Sequence, residues 1–348
     1  MALVAGPLRA DAPFVPQKAG GVVRLATYHA ELTRRGPGLL LGDILKGDPQ
    51  VEAVAALVAA ARPDILLLTG VDHDGAGHAL SALAEVIGEA GPRYPHRLAL
   101  RPNSGLRTGL DMDGDGRTGD ARDAQGYGRF PGAGGLALLS RWPLGEETDL
   151  SELLWRDVPG AVLPVHPNGE PFPSEEAQAI WRLSSTGHWI VPIRLPGPPE
   201  RHLTILAYAA TPPVFDGPED ANGLRSAAET GLWRSLLDGA LDVPPPEPPF
   251  AILGRANLAP SRGDGRREAI GALLSDPRLR DPEPLGESGT PVTADFTDPA
   301  PGDMRLDYVL PSADLGIRGS GVLWPETEGL ELVEAASRGR LVWTDVEL

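Results

Sequence analysis

The chain has no cysteine and only two lysines, Lys18 and Lys46, among its 348 residues. Without cysteine there can be no disulfide, no thiolate nucleophile and no thiolate zinc site. Aromatic residues are sparse at 5%, and no apolar run is long enough to span a bilayer. There is no GxSxG elbow, no P-loop and no GxGxxG turn joining a strand to a helix, so three common routes to acyl and nucleotide chemistry are absent. Basic residues are outnumbered, 31 against 48 acidic ones, for a formal charge of −17. Such a surface repels a phosphate backbone at long range, so nucleic acid is not an expected partner. A small basic pocket is still compatible with that charge.

What is present is a globular composition, 41% hydrophobic and 23% charged, with 43 Gly and 37 Pro that commit much of the chain to loops. The opening MALVAGPLRADAPF resembles the tail of a secretory signal but lacks a basic leading segment. Residues 1–20 therefore read as a flexible N-terminus or a signal-peptide remnant, ahead of one domain over 21–348. Export to the periplasm or the medium is expected, with a cytoplasmic location as the alternative.

Short apolar runs alternate with helical patterns almost from end to end. VVRLATYHA (22–30), PDILLLTGVD (63–72), GGLALLSRW (134–142), HWIVPIRL (188–195), HLTILAYA (202–209), FAILG (250–254), RLDYVLP (305–311) and RLVWTDVEL (340–348) predict strands. In PQVEAVAALVAAAR (49–62), Val51, Val54, Ala55 and Val58 recur at helical spacing, and AGHALSALAEVIGEA (76–90) does the same. Further helices are predicted over 222–240 and 266–275. The stretches 145–187 and 276–304 read as long loops. Interleaving without a compositional break favours a single α/β domain.

The order of these pieces, with RPDILLLTGVDHDGAGHAL, TPPVFDGPEDANG, LDYVLPS and SGVLWP, resembles the endonuclease/exonuclease/phosphatase superfamily over roughly residues 20–348. The resemblance implies a DNase I-like four-layer sandwich of two packed mixed β-sheets flanked by helices. It also implies a divalent-metal phosphoesterase site where strand ends meet, using oxygen ligands, an Asp that activates water and a His that stabilises phosphoryl charge. Position by position, this chain departs from that pattern. An Asn expected at the end of the first strand is His29, and the metal-binding Glu of the second is Gly70. The catalytic His before TPP is Ala209, and a GDxN element has become Gly254-Arg255-Ala256-Asn257. The terminal SDH element reads Ser337-Arg338-Gly339. Asn257 and Asp307 survive as the catalytic-type positions.

Arg255 is charged at any ordinary pH, cannot accept a proton and repels a metal. With so many substitutions spread over five strand ends, a domain without metal-dependent hydrolysis is expected, and a catalytic magnesium is not. Arg255 and Arg338 are expected to share the altered cleft near Asn257 and Asp307. Together they would bind a small anion such as phosphate or carboxylate, or else one of them would simply pair with Asp307. An active phosphoesterase with a rearranged site built from some of His29, Asp72, Asn257 and Asp307 is the alternative reading. A protein-interaction module using the 145–187 loop is a third.

DMDGDGRTGDARD (111–123) sets Asp111, Asp113 and Asp115 at alternate positions before Gly116, the first half of an EF-hand-like loop. The Arg117 carbonyl and a closing ligand, expected to be Asp123, would complete a structural calcium site; a solvated acidic turn is the alternative. In 211–223, Asp220 or Asn222 is expected to cap the following helix.

Overall fold

The structure is a computed structural model that describes residue 15 and residues 17–197, 201–296 and 301–348. Most of the 1–20 segment, including its signal-like stretch, lies outside the described residues. The chain begins with β1 (Val23–Leu32), α1 (Leu39–Lys46), α2 (Pro49–Ala61), β2 (Ile65–Val71) and α3 (His78–Ala90). Next come β3 (His96–Leu98), β4 (Gly135–Ser140), β5 (Thr148–Asp149), α4 (Glu175–Ile180), β6 (Gly187–Leu195) and β7 (Arg201–Ala209). The remainder is α5 (Ala221–Leu237), β8 (Phe250–Arg255), α6 (Arg267–Leu274), β9 (Asp307–Pro311), β10 (Gly316–Val322), α7 (Leu330–Ala336) and β11 (Val342–Glu347).

Two mixed sheets result, one in the order β10-β11-β1-β2-β4-β3 and the other β5-β6-β7-β8-β9. Each strand divides its side chains by parity between two cores, as a pleated strand must. Leu25, Ile65, Leu67, Ile205, Ala207 and Leu253 meet in the layer between the sheets. Ala26, Tyr28, Leu66 and Leu68 point the other way and are covered by α1, α2, α3 and α7. Leu206, Tyr208 and Ile252 face α5 and α6 on the far side. The four layers are therefore helix, sheet, sheet, helix, and strands buried on both faces explain the unbroken apolar runs.

Local signals set the helix ends. Asp48 accepts the Gln50 and Val51 amides and Pro49 starts α2, a paired N-terminal signal. At α5 the cap differs from the expectation: Asp220 makes no capping bond, and Asp216 Oδ2 accepts the Asn222 amide at 2.6 Å instead. Asp220 is drawn away to Arg266. The long 145–187 loop is pinned by Trp155 and Trp181, packed edge to face with centroids 5.3 Å apart. Among the described residues no helix is long and apolar enough to cross a membrane.

Candidate functional site at the polar end of the inter-sheet core

Where the strands end, the rows that fill the inter-sheet layer change from apolar to polar. The β1 row runs Leu25, Thr27, His29 and the β2 row Ile65, Leu67, Thr69, side by side in parallel register. The β7 row ends at Ala209 and the β8 row at Arg255, again in register. Asp307 opens β9 directly opposite Arg255 in the antiparallel pair. A cleft of about 850 Å³ lies over this end, lined by His29, Thr69, Gly70, Ala209, Arg255, Asn257, Arg338 and Gly339 among others.

Arg255 organises the centre. Its Nη1 donates to Asp307 Oδ2 at 2.8 Å and its Nε to Asn257 Oδ1 at 2.7 Å. Asn257, held at φ 53°, donates its Nδ2 to the Ala210 carbonyl at 2.7 Å. Thr293 adds a second donor to Asp307 Oδ2 at 3.1 Å. Asp307 is fully buried, and its Oδ1 has no partner among the described residues. Burial pushes the Asp307 carboxyl upward, against the Arg255 charge and the hydrogen bonds that favour the carboxylate.

Beside this pair, His29 places Nδ1 2.9 Å from Thr69 Oγ1. Burial, and then the nearby Arg255 charge, hold the imidazole well below its ordinary value, so it is neutral at pH 7. The space it fills is open because Gly70 and Gly339 carry no side chain. A Cβ on Gly70 would lie 2.8 Å from His29 Cε1, at a backbone φ of 71°. A Cβ on Gly339 would overlap the His29 carbonyl oxygen. The three residues interlock.

Arg338 lines the same cleft but belongs to a different pair. Its Nη2 and Nε donate to Glu31 Oε1 at 2.6 and 3.0 Å, and its amide donates to Oε2 at 2.8 Å. Burial works against the Glu31 charge, but Arg338 outweighs it and holds the carboxyl low. The two arginines do share the cleft, but in separate pairs. Arg255 joins Asn257 and Asp307, whereas Arg338 is held by Glu31, whose positive φ at the strand end turns it toward the 337–339 loop. Asp72 does not line the cleft. Its two oxygens accept the Arg34 amide at 2.7 Å and the Gly134 amide at 3.0 Å.

In the acidic loop, ligand oxygens of Asp111, Asp113 and Asp115 lie within 4.8 Å of one another, the one such group of three acidic or imidazole side chains among the described residues. Asp123 stands apart. It is buried and accepts the Met112 and Asp120 amides, both at 3.0 Å, which corrects its expected place as the closing ligand. The Arg117 amide donates to Asp115 Oδ1 at 2.8 Å. Among the described residues no fourth acidic or imidazole side chain joins the trio.

Sequence reading missed a buried network under the cleft mouth. Glu229, fully buried on α5, accepts from the Ser185 amide and hydroxyl and from the Thr211 amide, joining the turns that flank β6 and β7. Arg225, one helical turn earlier, donates to the carbonyls of Leu183, Gln125 and Ser184. The available signal was a charged pair at i and i+4 with only Ser226, Ala227 and Ala228 between its members. His188 completes the network through Ser184 Oγ at 2.7 Å and the Glu229 carbonyl at 2.9 Å, and burial lowers its imidazole to about 4. The unfolded chain takes up this proton near the ordinary 6.5, so acid favours unfolding between the two values. Stability is intact above about pH 6.5 and falls toward pH 4. Thermal melts should show a lower midpoint near pH 5 than near pH 7.5, with a smaller difference in His188→Gln; equal midpoints would contradict the assignment.

The fold and the composition of this rim define a class. The endonuclease/exonuclease/phosphatase family model matches residues 35–329, and the chain belongs to that family. Solved structures share the DNase I-like sandwich. An endonuclease/exonuclease/phosphatase from Beutenbergia cavernae is 17% identical with a TM-score of 0.54, over 95% of this chain and 72% of that one. Sphingomyelinase C from Streptomyces griseocarneus is 16% identical with a TM-score of 0.53, over 93% and 99%. The human Nocturnin catalytic domain is 15% identical with a TM-score of 0.50, over 98% of each. Comparison with curated protein sequences gave no match.

Proposed function

We propose that the protein keeps the family scaffold without metal-dependent phosphoester hydrolysis, and that its cleft binds a small anionic ligand instead. The observation that carries this reading is the Arg255–Asp307 ion pair, 2.8 Å long and almost wholly buried. A divalent ion at Asp307 would sit against a guanidinium that no accessible pH neutralises. The remaining donor set does not fit a metal either. Gly70 and Ala209 offer no ligand atom, His29 spends Nδ1 on Thr69, and Asp72 is committed to two backbone amides. Binding is supported by Arg255 itself. Two of its three nitrogens are engaged, and Nη2 has no partner among the described residues while the side chain lines the cleft. The test is turnover of a generic phosphodiester and a generic phosphomonoester with Mg²⁺ or Mn²⁺. No turnover above the blank is expected. Turnover abolished by Asp307→Ala would overturn the proposal and restore an active phosphoesterase.

A structural calcium in the 111–117 loop is a separate proposal, supported by the convergence of three carboxylates whose mutual repulsion a cation would relieve. Burial already raises the Asp113 carboxyl, with the Asp115 amide opposing the shift and the Asp115 charge adding to it. Because Asp123 is engaged elsewhere, the ligand set is incomplete and the affinity expected is weak, in the millimolar range of open calcium modules (about 10⁻³ M). Millimolar calcium should raise the melting midpoint of the wild type and not that of Asp113→Asn. No shift in the wild type would remove calcium from the account.

A further inference from the structure

Past the ledge formed by Thr33, Gly134 and Thr186, the cleft continues into a second hollow of about 370 Å³. Its lining includes Arg34, Arg35, Arg129 and Tyr127, and it contains no acidic residue. On a chain with 48 acids and 31 bases, that local composition runs against the whole. Arg34 is engaged by Asp43 at 2.6 Å and Asp48 at 3.6 Å. Arg35 and Arg129 are exposed and make no ion pair among the described residues. Tyr127, an aromatic residue 65% exposed, lines the same hollow.

The hollow is held rigid from below. In the run Gly126-Tyr127-Gly128-Arg129 the two glycines face the protein and the two functional side chains line the hollow. A Cβ at Gly126 would overlap the Ser185 carbonyl, and one at Gly128 would overlap the Gly105 amide nitrogen. The backbone is therefore pressed against its neighbours, and Tyr127 and Arg129 both line the hollow. Asp72 fastens the opposite walls together, since one carboxylate binds the Arg34 amide on one side and the Gly134 amide on the other. Ser104 closes the floor with a 2.5 Å bond to the Ala133 carbonyl. Two exposed cations and an exposed ring lining one hollow, with no carboxylate in its lining, suit an anion carried on a planar group: the guanidiniums take the oxygens and the ring takes the stacking surface.

We propose that this hollow is an anion-binding subsite, in which Arg35 and Arg129 hold the phosphate or sulfate of a ring-bearing ester and Tyr127 supports the ring. It uses none of the residues of the Arg255 cluster, so it stands whether or not the cleft hydrolyses anything. The experiment is calorimetric titration of the full chain with phenyl phosphate and with inorganic phosphate, in buffer containing EDTA. Saturable binding of phenyl phosphate is expected, weakened tenfold or more in the double variant Arg35→Ala/Arg129→Ala. Both side chains are exposed, and an unchanged melting midpoint will show that the double variant is folded. Tyr127→Ala should weaken phenyl phosphate several-fold and leave inorganic phosphate unchanged. Unaltered affinity in the double variant, or loss of binding in Arg338→Ala with retention in the double variant, would overturn the assignment and place the anion in the main cleft. Absence of saturable binding by the wild type would overturn it as well.

Discussion

Replacing Arg255 with alanine is expected to lower the melting midpoint by about 4–7 °C. The substitution removes the one cation that faces Asp307, a carboxylate with no exposure to water. Leaving one member of a buried pair unmatched costs about 3–5 kcal/mol. The unfolding entropy of a chain this long converts that loss into the stated shift. The cost should depend on pH in a defined direction. Burial already raises the Asp307 carboxyl, and losing Arg255 raises it further, so the folded variant binds a proton more readily than the unfolded chain. The variant should therefore recover stability as pH falls and lose it as pH rises through the shifted value. The double substitution Arg255→Met/Asp307→Leu should regain most of the loss, because apolar side chains of similar size do not need each other. Melts of the three proteins near pH 5 and pH 8 check all of this. A single variant as stable as the wild type at pH 8 would mean that the pair does not hold the rim together.

The second large effect is expected at Gly339. An alanine there drives its methyl into the His29 backbone oxygen, and a backbone atom in the middle of a sheet cannot step aside as a side-chain tip can. Overpacking of this kind costs about 3 kcal/mol. Gly70→Glu meets the same histidine, here at the ring, with the added strain of a side chain at φ 71°. The two clashes differ in their remedy. Shortening residue 29 to alanine should partly rescue Gly70→Glu, because the obstructing atom belongs to the imidazole. It should leave Gly339→Ala nearly as unstable as before, because the obstructing atom belongs to the main chain. Double-mutant cycles on melting free energy read both couplings. Equal rescue at both sites would refute the interlocked geometry.

Most of the fold could be read from the chain because its strands are buried on both faces and announce themselves as apolar runs. FAILG and HLTILAYA were placed to within a residue of β8 and β7 for that reason. The elements that escaped lack such a signal. Helix α1 follows a Gly-Pro-Gly stretch and leaves Leu39 and Leu45 exposed, so its apolar residues do not mark one buried face. Strand β10 carries three glycines and pairs on one side only, with β11. At the site, the substituted strand ends were legible through the family resemblance, but their partners were not. Glu31 and Arg338 are 307 residues apart, and only the turn at Glu31 brings them into contact. Asp72 looks like a free carboxylate in sequence and is a clamp in space. The basic hollow is assembled from separate loops around residues 33–35, 104, 127–129, 133–134 and 186, and no window of sequence contains its composition.

The fit between residue 29 and the glycines at 70 and 339 also bears on how the rim can change. A side chain placed at either position meets residue 29, at 70 through its imidazole ring and at 339 through its main-chain oxygen. Single changes at these strand ends are therefore costly, and only coordinated change at several of them keeps the rim packed. A directed-evolution search for hydrolysis should therefore vacate position 29 before changing Gly70, and let the main chain around residue 29 move before changing Gly339.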